Sequence, residues 1–118
     1  MRAAAVIAAV VLSGCSAVVP SRTTDDPMAD VRAATADTPA LYAAATGPNV
    51  TWTTGTPPAV HFAAYTSWTC IWTSCSFAVV VDPAYRTRAV LRHEAGHIVC
   101  MTTAMDPSEE CADREAAS

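Results

Sequence analysis

From Tyr85 to Met101 no residue breaks a helix except Gly96, and the preceding Asp82-Pro83 has the form of a helix start, a good cap followed by a residue suited to the first turn. Val90, Leu91, Ile98 and Met101 share much of the circumference of this predicted helix with His93, Glu94 and His97. A helix that is apolar on one side, with a polar triplet set into that side, must pack that side against a second layer. The rest of the chain therefore has to supply a partner surface that tolerates three ionisable groups.

The segment between Val50 and Asp82 has the composition for it, with β-branched and aromatic residues and turn chemistry at Gly47-Pro48-Asn49, Gly55 and Pro57-Pro58. Three strands are predicted, near 50–54, 60–66 and 76–82. Before them, alanine-rich sequence from Met28 to Ala45 favours helix, with a weak stripe at Val31, Ala34, Leu41 and Ala44 that Pro39 interrupts. After them, Asp106-Pro107-Ser108-Glu109 has the form of a capping box, predicting a last helix over 107–117. The expected fold class is α+β: a short, largely antiparallel sheet, the long helix and a short C-terminal helix.

Hydrophobic residues make up 52% of the chain, but many are alanine, so the core is thin and disulfides or a metal are expected to support it. Of five cysteines, Cys15 stands apart in Leu12-Ser13-Gly14-Cys15, behind Arg2 and the apolar run from Ala3 to Leu12. That run is too short for a membrane span and reads as a secretory signal. Leu-Ser-Gly-Cys resembles the lipobox of bacterial lipoproteins, which implies a signal peptide over 1–14, lipidation of Cys15, a tether over 15–27 and a domain over 28–118 on the extracytoplasmic face of the cell membrane. Four cysteines remain in this exported setting, Cys70, Cys75, Cys100 and Cys111, enough for two disulfides. Three connectivities are possible; Cys70 with Cys75 and Cys100 with Cys111 are favoured because each closes a local hairpin. The formal charge is −4 and the seven arginines are scattered rather than gathered into a stripe, which argues against a nucleic-acid partner.

His93 and His97, four apart on a helix, project from one face about a turn apart and can reach one metal ion. Two of only three histidines in the chain fall at this spacing. Glu94 lies beside them, placed to take a proton from a metal-activated water. A third ligand is still needed. If the chain turns near Thr103 and returns antiparallel, Glu109 comes level with His97 and Asp113 with His93. Glu109 also fits a capping role at the start of the last helix, and Glu110 and Asp113 remain alternatives as ligand.

His93-Glu94-Ala95-Gly96-His97 followed by Glu109-Glu110-Cys111-Ala112-Asp113 resembles the gluzincin type of zinc peptidase, in which His-Glu-x-x-His is followed by Glu-x-x-Ala-Asp. The resemblance covers residues 88–116, and its separation between His97 and Glu109 is shorter than is usual for such families. It implies a zincin-like domain binding one Zn2+ per chain through His93, His97 and Glu109, with Glu94 as general base and Asp113 supporting His93. The metzincin pattern would want glycine at Cys100 and His or Asp at Thr103. A peptide or protein substrate outside the membrane is implied, with an edge strand holding it by backbone hydrogen bonds. The alternative is a membrane-tethered, zinc-stabilised binding or inhibitory module without turnover; a domain completed by a partner protein is a third reading. Tyr65 and Tyr85 are candidate oxyanion donors, His61 is read as structural or exposed, and Trp52, Trp68 and Trp72 as packing residues or a groove lining.

Overall fold

The computed structural model describes residues 26–58 and 62–118; residues 1–25, with Cys15 and most of the tether, and His61 lie outside the described part. Pro39 does divide the first helical segment, giving α1 (Met28–Thr35) and α2 (Pro39–Ala45). Three strands follow, β1 (Val50–Thr54), β2 (Ala64–Ile71) and β3 (Ser74–Val81), then a 3-10 turn over Pro83–Tyr85, α3 (Arg88–Ala104) and α4 (Glu109–Ala117). The molecule is an α+β fold. Its sheet is mixed, in the order β1-β3-β2: β3 is central, antiparallel to β2 and parallel to β1.

The second strand lies later than its expected position over 60–66. Its extent follows from pairing with β3, which continues without interruption from Ala64 opposite Val81 to Cys70 opposite Cys75 and Ile71 opposite Ser74. A disulfide joins the opposed pair Cys70 and Cys75, and a second joins Cys100 on α3 to Cys111 on α4, the two pairings favoured from sequence.

Both Asp-Pro start signals act outside the helices they were expected to begin. The Asp82 side chain accepts from the Ala84 N–H and caps the 3-10 turn, while Thr87 caps α3 by accepting from Val90. Asp106 accepts from the Ser108 N–H in a turn, and Ser108 caps α4 by accepting from Cys111. Aspartate before proline serves a turn as well as it serves a helix, which is why the signal misplaces the starts.

One face of the sheet carries the core. Cys75, Phe77, Val79 and Val81 alternate inward along β3 and meet Leu91, Ala95 and Ile98 of α3, with Val31 and Leu41 closing the α1–α2 side. Each fully buried Leu or Ile contributes about 1.5–3 kcal/mol, so a few such residues carry much of the stability of so small a domain. Trp52 is part of this core, its indole N–H donating to the Ala45 carbonyl at 2.8 Å. The opposite face, with Thr51, Thr53, Ser67 and Thr69, is exposed.

Arg92, buried on α3, ties the helices together. Its guanidinium donates to the Ala34, Ala116 and Ser118 carbonyls, to Asp37 and to the Thr38 hydroxyl. Asp37 also receives Arg88 at 2.8 Å. The hydrogen bond from Arg88, followed by that from Thr38, holds the Asp37 carboxyl below its ordinary value against the opposing effect of desolvation. A carboxyl depressed on folding contributes stability above its unfolded pKa, and that contribution disappears as pH falls through the folded one. Asp37→Asn should therefore lower the urea midpoint at pH 7, and the gap from wild type should close on acidification through the carboxylate range. A gap that persists at the acid end would show that the charge is not what matters.

Candidate metal centre

Helix α3 sets His93, Glu94 and His97 on the side facing β2 and α4, with Glu94 and His97 buried and His93 half-buried. After α3 ends, Met105 takes a left-handed conformation, with its N–H on the Met101 carbonyl, and the short 106–108 link sends α4 back along α3. The two helices run very close. A Cβ built on Gly96 would lie 2.5 Å from the Ala112 carbonyl oxygen, so only glycine permits this approach. The Cys100–Cys111 disulfide fixes the pair about one turn further along.

This approach brings the acids of α4 to the histidines of α3. Glu109 bridges the two imidazoles, with Oε1 2.7 Å from His93 Nε2 and Oε2 3.1 Å from His97 Nε2. Asp113 Oδ1 lies 2.7 Å from His93 Nδ1. The ligand atoms of His93, His97 and Glu109 all fall within 4.8 Å of one another, and this group could hold a metal ion. Glu110 is exposed and outside the group. Because Ser108 is the cap, Glu109 is the first residue of α4, and its carboxylate spans the histidines rather than closing a capping box.

The spacing of the donor set suits a metal ion. Donors bonded at ~2.0–2.2 Å in a tetrahedral site lie roughly 3.4 Å apart, so the observed spacing needs only small side-chain adjustments. His93 faces a carboxylate on each nitrogen. Burial pulls its pKa down, but the Glu109 hydrogen bond, the Glu94 charge, the Asp113 hydrogen bond and the Glu109 charge together outweigh burial and raise it. The space between His93 Nε2 and Glu109 thus favours a positive charge, which a proton or a metal ion can supply. Nδ1 of His97 is buried without a hydrogen-bond partner among the described residues, so only its Nε2 is engaged.

Glu94 is anchored from the sheet. The Thr66 hydroxyl, buried on β2, donates to Glu94 Oε1 at 2.5 Å. Sequence reasoning missed Thr66, since its role depends on a pairing across 28 residues that no local pattern reports. Glu94 sits where two cavities meet. One, of about 420 Å³, is lined by Tyr65, Thr66, Trp68, His97 and Glu109; the other, of about 770 Å³, by Val90, His93, Asp113 and Ala116. Phe62 borders both and stacks on Tyr65, with ring centroids 5.7 Å apart. Tyr65 and Trp68 therefore lie at the cleft, while Tyr85 is half exposed on the 3-10 turn, Trp52 is in the core and Trp72 is at the hairpin tip.

Asp113 is placed to hold the His93 ring and raise its basicity toward a cation at Nε2. Asp113→Asn should weaken metal affinity about tenfold, at the low end of the usual 10–100-fold range because Asp113 is exposed. Competition against a chelator of known affinity measures it, and an unchanged affinity would remove Asp113 from that role.

No protein-family model, curated protein or solved structure matches the chain.

Proposed function

We propose that this chain is a zinc-dependent peptidase of gluzincin type, acting on peptide or protein substrates at the extracytoplasmic face of a membrane to which Cys15 is lipid-anchored. The observation that carries the reading is the convergence of His93, His97 and Glu109 from two helices beside Glu94, at the meeting point of two cavities under an edge strand. Two imidazoles and one carboxylate are a donor set suited to zinc with a position left for reaction. The two disulfides suit an oxidising compartment.

When bound, zinc supplies a Lewis acid that polarises the scissile carbonyl and lowers the pKa of water. The remaining work belongs to the chain. Glu94, steered by the Thr66 hydroxyl, takes a proton from the attacking water and delivers it to the departing amine. Asp113 orients His93, and Glu109 joins α4 to the site. The edge strand β2 offers backbone groups along the cleft, which suits an extended peptide added in β-fashion. Tyr65, at the cleft, is the better placed of the two tyrosines to donate to an oxyanion.

The test is the metal content of the full oxidised chain. About one zinc per chain is expected, lost in His97→Ala, as one missing ligand of three leaves too few to hold the ion. A chain that retains no metal after zinc reconstitution would overturn the proposal.

A further inference from the structure

We infer that the disulfide-closed tip of the β2–β3 hairpin, Ile71 and Trp72, is a membrane-contacting wedge that seats the domain in the interfacial layer of a lipid bilayer. The inference uses the lipid-anchored part of the reading above for proximity and is independent of peptidase activity.

Trp72 is 92% exposed and Ile71 70%, well beyond any large apolar side chain at the cleft. Trp72 also has φ 60°, in the left-handed region that Gly or Asn fills at little cost and a bulky residue does not. Neither the turn nor the core gains from a tryptophan here. The tip is nonetheless held in shape, since Cys70 and Cys75, paired directly across the hairpin, are joined by the first disulfide.

The chemistry around the tip selects among partners. From Phe62 to Val81 the chain has no Asp, Glu, Lys, Arg or His, although it carries a formal charge of −4 elsewhere. The acyl boundary of a lipid interface penalises charge while its headgroup side hydrogen-bonds hydroxyls, and Thr69, Thr73, Ser74 and Ser76 are the polar residues beside the tip in the chain. Tryptophan, with an apolar body and one N–H donor, is the side chain enriched at that depth. Pairing across the hairpin, down to Ile71 opposite Ser74, satisfies the inward-facing backbone groups at the tip, so shallow insertion strands only the outward-facing ones, at a depth that water still reaches.

Proximity supplies the rest. A tether over 16–27 reaches at most roughly 40 Å at ~3.3–3.6 Å per residue, so a lipid on Cys15 would confine the domain to the surface layer, where a weak wedge suffices. Ile71 is five residues along β2 from Thr66, roughly 17 Å at ~3.3 Å per residue. A seated tip would thus hold the cleft one strand-length from the bilayer, near segments that emerge from it.

The experiment mixes the full chain with phosphatidylcholine vesicles whose acyl chains carry bromine, which quenches only tryptophan in contact with them. A Trp52→Phe, Trp68→Phe background leaves Trp72 as the reporter. Trp72 emission should move to shorter wavelength and lose most of its intensity on brominated but not on plain vesicles, and Ile71→Ser should weaken the quenching severalfold. Metal-free and Glu94→Gln chains should give the same result, which separates this inference from the peptidase reading. If the background variant fails to fold, the wild-type chain compared with Trp72→Ser gives the same readout by difference. Trp72 emission that stays at its water-exposed wavelength while the chain co-sediments with vesicles would overturn the wedge. So would a blue shift that grows with protein concentration without lipid, which would assign the tip to a second copy of the chain.

Discussion

For the proposed peptidase, Glu94→Gln is expected to retain the metal and to lose roughly 10²–10⁴-fold in turnover, the range associated with a positioned general base. The substitution is close to isosteric, and the glutamine carbonyl can still accept the Thr66 hydroxyl, so the contact between sheet and helix survives. Glu94 is not among the three groups that converge on the metal site, so affinity should change little. What disappears is the capacity to take a proton from water. Turnover of a quenched fluorescent peptide and metal content, measured on the same sample, read the two effects apart. Turnover within about tenfold of wild type would remove Glu94 from the chemistry, and a chain inactive both with and without the substitution would favour the tethered binding module.

The second large effect concerns a residue outside the candidate metal site. Gly96→Ala should stabilise an ordinary helix by about 1 kcal/mol. Here the added methyl would sit 2.5 Å from the Ala112 carbonyl oxygen and 3.1 Å from its Cα, and all of the opposing atoms are backbone. Helix α4 must move away or tilt, while the Cys100–Cys111 disulfide holds it one turn further along. Overpacking of this kind costs about 1–3 kcal/mol, and in a domain of this size each lost kcal/mol lowers Tm by roughly 4–8 °C. The displacement also carries Glu109 and Asp113 away from the histidines. Metal affinity should fall at least tenfold by chelator competition, following the roughly 10–100-fold sensitivity of metal sites to loss of their supporting geometry. A Gly96→Ala protein more stable than wild type, with metal affinity intact, would mean that the helices do not cross this closely.

The long helix and its polar triplet were readable because helical periodicity places His93, Glu94 and His97 on one apolar face, a pattern that survives without any knowledge of the rest of the chain. Glu109 and Asp113 were reachable by one further step, the return of an antiparallel helix: Asp113 meets His93 and Glu109 meets His97 as that geometry puts them, and Glu109 reaches His93 as well. Both disulfides were legible for the same reason, since each pairs cysteines across a local turn. The failures are nonlocal or punctual. Nothing near β1 announces that it pairs in parallel with β3, which is inserted between β1 and β2. Nothing near Thr66 announces Glu94, and nothing near Arg92 announces the five acceptors that Ala34, Asp37, Thr38, Ala116 and Ser118 provide. Helix starts were displaced because Thr87 and Ser108, rather than the aspartates before the prolines, supply the caps.

The contacts of the site differ in how much chain they enclose. His97 meets Glu109 across a short turn, most of which the Cys100–Cys111 bond already ties off with a sequence separation of 11. The Thr66 contact to Glu94 instead closes 28 residues and depends on the whole hairpin standing in place. Loop closure grows more costly with length, by about 0.6 kcal/mol for each doubling, and a covalent tie removes part of that cost from the shorter loop. Local opening therefore does not fall evenly on the site. A chain whose sheet has come loose keeps the helical hairpin that gathers the two histidines and Glu109, and gives up the hydroxyl that aims Glu94.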